Sequence, residues 1–117
     1  MRTGTTLIFV LRSGARVVAS ISAGRFSTPT GAHCRLEDVV VDEKRRGRGL
    51  GRKIVERALA ALHELGVEQV ELTSRPSRVA ANALYRALGF ARRKTNVYVL
   101  AETCFKLKGD GDGTQER

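Results

Sequence analysis

The chain has 117 residues, 42% hydrophobic and 28% charged, which fits one globular domain and excludes a disordered chain. Lysine and arginine number 21 against 12 aspartates and glutamates, a formal charge of +9. The expected partner is therefore an anion: nucleic acid, a phosphorylated cofactor or an acidic surface.

The longest early apolar run, residues 7–11, is too short for a signal-peptide core or a membrane-spanning helix. Cys34 and Cys104 form no disulfide framework and no CxxC pair. With His33 and His63 they give no zinc-ligand spacing, so no metal is expected. A reduced, cytoplasmic setting is the expectation. Aromatics at 5%, with no Trp, speak against a module that stacks single-stranded bases.

In chain order, residues 5–11 and 16–22 are β-rich and read as a hairpin about Arg12-Ser13-Gly14-Ala15. Residues 24–33 hold Pro29 and two glycines and read as a loop. Residues 34–41 read as a third strand. Val39, Val40 and Val41 are apolar in succession, as in a strand covered on both faces. Glu37-Asp38 just before them breaks the alternation and predicts a β-bulge.

Leu50, Ile54, Val55, Ala58, Leu59, Ala61, Leu62 and Leu65 recur at helical spacing, with Gly66 as the stop. Residues 67–73 read as a short strand. Pro76 and Ser77 open a second helix over 78–88, stopped by Gly89. Residues 90–93 and 96–107 read as a final strand pair or one bent strand. The Gly/Asp-rich stretch 108–117 is expected to be disordered, which leaves one domain over 1–107. The order β-β-β-α-β-α-β(-β) gives an α/β (α+β) fold: a mixed, mainly antiparallel sheet with helices packed on it.

A strand, a basic glycine-rich turn and a helix start run together through residues 39–52. Gly47, Gly49 and Gly51 remove side chains where backbone N–H groups must be reachable. The helix start at Leu50 adds unpaired N–H donors and the positive end of a dipole. Together they form a cradle for phosphate or pyrophosphate, with Arg46, Arg48 and Arg52 around it. Arg52 stands where a dinucleotide GxGxxG needs glycine, and no Gly-Lys-Ser/Thr follows for a P-loop. A flexible basic loop or an RNA-contacting arginine patch is the plainer alternative.

Arg46-x-x-Gly49-x-Gly51 resembles the (Gln/Arg)-x-x-Gly-x-(Gly/Ala) loop of the GNAT superfamily of acyl-CoA-dependent N-acetyltransferases. Leu36-Glu37-Asp38-Val39-Val40-Val41-Asp42 resembles that family's central strand. Asn82-Ala83-Leu84-Tyr85-Arg86-Ala87-Leu88-Gly89-Phe90 resembles its second block, a helix carrying a Tyr and ending in Gly-Phe. The likeness spans roughly residues 7–100. Within the family, the Glu-Asp-Val-Val-Val-Asp form is similar to the glucosamine-phosphate branch.

The resemblance implies acetyl-CoA as cosubstrate and a primary amine as acceptor, either a small molecule or a peptide or protein lysine. It assigns the pyrophosphate to Arg46, Gly47, Arg48, Gly49, Leu50, Gly51 and Arg52, and the pantetheine amides to the backbone of Val39, Val40 and Val41. It makes Tyr85 the proton donor to the departing thiolate. Asn82, one helical turn earlier on the same face, bonds the cofactor or has a cap or surface role. Arg78 stands where many relatives carry Asn near the cofactor, as a phosphate contact or a plain surface residue.

The family usually opens with a strand and two helices that wall the acceptor site, and only residues 1–4 precede the first strand here. The acceptor wall is then open, completed by a second subunit in a homodimer, or partly supplied by residues 23–33.

An alkyl amine with a pKa of ~10.4 costs about 4.6 kcal/mol to deprotonate at pH 7, whereas a thiol leaving group needs far less help. A proton acceptor therefore matters more than a donor. Glu37 and Asp38 are the candidates, and strand alternation lets one of them face the cleft. Glu37 is the expected base, acting directly or through water. The alternative is a solvated pair, or one paired with Arg35. Ser74 is expected to line the cleft where the two central strands separate. His33, His63, Cys34 and Cys104 read as structural. The leading function is an N-acetyltransferase; the alternative is a non-catalytic CoA-binding module or a basic nucleic-acid-binding domain.

Overall fold

The computed structural model describes residues 4–102. Strands β1 (Gly4–Ser13), β2 (Arg16–Thr28) and β3 (Gly31–Val41) form an antiparallel meander. Helix α1 (Leu50–Glu64) follows, then β4 (Gln69–Glu71), parallel to β3, then helix α2 (Val79–Ala87). The sheet order is β1-β2-β3-β4. This is the mixed, mainly antiparallel α/β sheet expected from the pattern.

The meander is longer than the sequence suggests. The first turn is only Gly14-Ala15, with Gly14 at φ +64°. Residues 24–33 are not a loop. The ladder runs through them, Gly24 opposite Arg35 and Phe26 opposite His33, and the chain reverses at Pro29-Thr30. Proline and glycine cluster there because a tight turn needs them. The Thr28 hydroxyl accepts the Thr30 N–H at 3.2 Å, and the Phe26 and His33 rings meet edge to face at 5.7 Å.

Strand alternation divides the sheet into two faces. Leu11, Ala19, Ile21, Ala23, Cys34 and Leu36 are buried beneath α1, which contributes Ile54, Val55, Ala58 and Leu62. The opposite face carries cross-strand rows Ile8–Ser22–Glu37 and Val10–Ser20–Val40. Ile8 is 66% and Val40 55% exposed, so the expected cover on both faces of 39–41 is lacking among the described residues.

Both helices close in the same way. Gly66, at φ +82°, follows α1; its N–H reaches the His63 carbonyl and that of Val67 the Leu62 carbonyl, each at 3.0 Å. Gly89, at φ +101°, follows α2 with bonds from Gly89 to Arg86 and from Phe90 to Tyr85, again at 3.0 Å. These are Schellman closures, which recruit an apolar contact across the cap. In α2 that contact is the Phe90 ring on the edge of Tyr85, at 6.0 Å.

β4 is shorter than the predicted 67–73, and no strand forms over 91–102. Val97, Tyr98 and Val99 lie exposed, so β-propensity without a pairing edge makes no strand. The remainder of the predicted final strand, and 108–117, lie outside the described residues. Leu62→Ala is expected to lose about 2–5 kcal/mol in urea titrations, because its side chain is fully enclosed. His63→Ala, on the exposed side of the same turn, is expected to change stability by about 0.5 kcal/mol or less.

Candidate active site

The turn between β3 and α1 is built from backbone. Gly47 and Gly49 take φ of +81° and +76°, a region that residues with a Cβ occupy only with strain. Gly49 is the N-cap of α1 and offers no side-chain cap, and the first helical bond runs from Lys53 N–H to Gly49 C=O at 3.0 Å. The N–H groups of Leu50, Gly51 and Arg52 therefore precede the helix's own hydrogen bonding. A Cβ placed on Gly47, Gly49 or Gly51 would meet no other atom within 4 Å. Open room, unpaired donors and the helix dipole together fit a phosphate or pyrophosphate.

Asp42 holds this turn in place, a role that the sequence reading missed. Its backbone N–H bonds the Val18 carbonyl at 2.8 Å, tying the end of β3 to the start of β2. Its carboxylate accepts the Lys44 N–H at 3.2 Å and Arg16 Nε at 3.3 Å, with Arg45 at 3.9 Å. It thereby caps the short 3-10 turn Glu43–Arg45. The legible signal was an Asp just before a polar turn, an N-cap in sequence terms. The Lys44 N–H and the neighbouring Arg16 and Arg45 guanidiniums hold its carboxyl below the usual carboxylate range, against the opposing effect of desolvation.

The predicted cations divide. Arg46 folds back to donate to the Val41 carbonyl at 3.4 Å. Arg52 pairs with Glu56 at 3.1 Å on the surface of α1. Arg48 lines a hollow of about 320 Å³ with Arg16, Asp42, Lys44 and Arg45, and a second of about 240 Å³ with Arg12 and Lys53.

The predicted bulge is present. Ser20 pairs with Val40 and Ser22 with Glu37, so β3 carries one more residue than β2 across this step. Asp38 takes φ +57°, as a short polar residue can. Glu37 keeps its place opposite Ser22, on the face away from α1, exposed and without a side-chain partner among the described residues. Arg35 is not its partner; that guanidinium pairs with Glu71, Nε to Oε2 at 2.9 Å.

β3 and β4 are paired only from His33–Gln69 to Arg35–Glu71. Beyond that, Val39, Val40 and Val41 have β2 on one side and no strand on the other among the described residues. Tyr85 is 8% exposed and joins the apolar cluster that α1 seals. Asn82 donates from Nδ2 to the Arg75 carbonyl at 3.0 Å, fixing the approach to α2, and Arg78 is exposed at its N-cap. Ser74 lies between β4 and α2 with its Oγ buried and unbonded.

Cys34 is fully buried, and burial pushes its thiol up despite the opposing Arg25 charge, so it is a core residue. His33 bonds Thr30 Oγ1 at 3.3 Å in the second hairpin, and His63 is exposed in the last turn of α1. Cys104 lies outside the described residues. Among the described residues no helix is long and apolar enough to cross a membrane, and no cluster of His, Cys, Asp and Glu is positioned to hold a metal.

A mixed sheet whose central strands part beside a glycine-rich helix start defines the class: an α/β protein with an uncapped helix N-terminus at a strand gap. The acetyltransferase (GNAT) family model matches residues 2–90, and the chain belongs to that family. It is 40% identical over 72 residues to N-alpha-acetyltransferase MAK3 of Arabidopsis thaliana, covering 60% of this chain and 38% of that protein. It is 46% identical over 50 residues to mycothiol acetyltransferase of Beutenbergia cavernae, covering 43% of this chain and 17% of that one. The chain thus matches well under half the length of these relatives. A putative acetyltransferase of Agrobacterium tumefaciens superimposes with a TM-score of 0.74 at 28% identity, over 82% of this chain and 69% of that one.

A carboxylate whose pKa is lowered by folding stabilises the fold when ionised, and loses that effect as pH falls through its folded value. The stability difference between the parent and Asp42→Asn is therefore expected to be full above about pH 5 and to shrink progressively as the pH falls below about 4, through the lowered folded value. Urea midpoints of both proteins across that range measure it.

Proposed function

We propose that this chain transfers an acetyl group from acetyl-CoA to a primary amine in the cytoplasm. The observation that carries the reading is the turn at residues 46–52: a helix start without a side-chain cap, opened by glycines and continuous with the strand that borders the gap. Acetyl-CoA supplies the activated thioester. The N–H groups of Leu50, Gly51 and Arg52 bind its pyrophosphate, with Arg46, Gly47, Arg48 and Gly49 shaping the rim. The backbone of Val39, Val40 and Val41, with no strand beside it toward the gap among the described residues, serves the pantetheine amides.

Glu37 takes the proton of the acceptor amine, directly or through water. Its exposure, and the lack of a side-chain partner among the described residues, support that role. Tyr85 gives a proton to the departing thiolate. Its ring is held by Phe90, and its hydroxyl bonds no described residue. Asn82 contributes indirectly in this reading, since its amide is engaged by the Arg75 carbonyl.

Gly51→Val is the cleaner probe of the cradle, because Gly51 has an ordinary φ and open space for a side chain, whereas Gly49 is strained for any other residue. The variant is expected to keep its melting temperature and to lose measurable acetyl-CoA binding by calorimetry. Unchanged affinity would place the phosphates elsewhere.

An acetyl-CoA release assay over alkyl amines, amino sugars, and peptide N-termini and lysines tests the reaction itself. Glu37→Gln is expected to lose activity by about 10²–10⁴-fold at neutral pH and to recover as pH rises. Tyr85→Phe is expected to lose about 10–100-fold, with kcat and kcat/KM falling together. Tight CoA binding with no turnover on any amine would instead make the chain a binding module.

A further inference from the structure

Two adjacent hollows lie where the β1–β2 turn meets the β3–α1 turn, the place that the Asp42 N–H bond to the Val18 carbonyl ties together at 2.8 Å. Arg16, Lys44, Arg45 and Arg48 line the first, of about 320 Å³, and Arg12, Arg45, Arg48 and Lys53 the second, of about 240 Å³. Because Arg45 and Arg48 serve both, the hollows form one strip. Six cations stand there against one lining carboxylate, Asp42, which Arg16 and Arg45 already share. The strip thus gathers five of the chain's nine net positive charges.

Acetyl transfer leaves most of this charge unused. Arg12, Arg16, Lys44 and Lys53 stand outside the 46–52 turn. The side chains of Arg12, Lys44, Arg48 and Lys53 have no ion pair among the described residues. The strip is also set apart from the gap by the sheet order β1-β2-β3-β4: its lining comes from β1, β2, the β3–α1 turn and the start of α1, with nothing from β4 or α2. Like charges crowded together repel in the free protein, and an anion relieves that repulsion.

The lining selects among anions. Leu11 and Val18, beneath the second hollow, are 8% and 5% exposed and Leu50 is half-buried, so the strip offers a protein partner little apolar anchorage. No aromatic side chain lines either hollow, so unstacked bases find no platform. A row of phosphates whose bases are turned inward needs neither. Four of the six cations are arginines, whose planar forks match phosphate oxygens. We propose that this strip docks a nucleic-acid duplex by its phosphate backbone, without reading its bases, on the side of β3 away from the gap. The docking does not depend on the reading of the 46–52 turn as the CoA site.

The test is fluorescence anisotropy of labelled duplexes of about 16 base pairs, one RNA and one DNA, titrated with the full chain over a range of salt. At least one duplex is expected to bind, with log affinity falling against log salt at a slope of about −4 to −5. Arg12→Gln with Lys53→Gln removes two exposed charges outside the 46–52 turn. That variant is expected to lose about two from the slope and about 10–100-fold in affinity near 0.1 M salt, with the parent's melting temperature and CoA affinity. Arg86→Gln with Arg92→Gln, an equal change at exposed sites outside the strip, is expected to cost about 3-fold or less. Failure of both duplexes to bind overturns the proposal. So does equal loss in the two variants, which makes the attraction diffuse. Displacement by polyglutamate as readily as by unlabelled duplex overturns it in favour of an acidic protein, and a matching loss of CoA affinity in favour of the cosubstrate. A parent that binds a duplex and not CoA upholds the docking strip and removes the CoA site.

Discussion

The site depends on a pairing that ends early. β3 and β4 run parallel for three residue pairs and then part. The meander fixes β3 firmly through β2, over a register that reaches Val41. β4 has no comparable support: it is three residues long and is entered from α1 through the Gly66 turn. The extra residue at Asp38 bends and twists β3 just beyond the last shared pair, and a bulge has that effect on a strand. A continuous ladder would have used the backbone groups of Val39–Val41 internally. The parting of the strands leaves them toward the gap, with the helix N-terminus a few residues further along the same chain.

In the proposed cosubstrate site at the turn, the backbone rather than the arginines carries the recognition. Of the three arginines in the motif, Arg46 is spent on the Val41 carbonyl and Arg52 on Glu56. Exposed pairs of that kind contribute little stability and exchange readily for a better anion. Asp42 gathers Arg16 and Arg45 and thereby orders the approach to the glycines. In the same proposal the excess positive charge acts at longer range, raising the local concentration of an anionic ligand around the turn.

Much of this was legible in the sequence because the signals were local. Helical spacing located α1, the glycines at 66 and 89 ended both helices, and Glu37-Asp38 betrayed the bulge. The Tyr85–Phe90 pair was legible as a motif, and its physical basis is the apolar contact of a Schellman closure. The second hairpin was not legible, since Pro29 and Gly31 look alike in a long loop and in a tight turn between long strands. The Asp42 clamp joins residues 26 positions apart, and no periodicity reports such a pairing. The isolation of the Ser74 hydroxyl was equally hidden, because it depends on what surrounds the atom and not on its neighbours in sequence.

The two proton-handling groups of the proposed reaction meet unequal demands. Deprotonating an alkyl amine at neutral pH costs about 4.6 kcal/mol, whereas a thiolate is a fair leaving group unaided. The larger task falls to Glu37, on the solvated face away from α1, where water can carry the proton away. The smaller task falls to Tyr85, rooted in the cluster that α1 seals. A phenol held in apolar surroundings is poorly placed to exchange protons with solvent but well placed to deliver one over a short path. On this reading the gap between β3 and β4 is the passage between the two environments. The amine approaches from the wet side, the thioester lies along the dry one, and the division of the sheet into two unequal faces separates the roles of base and acid.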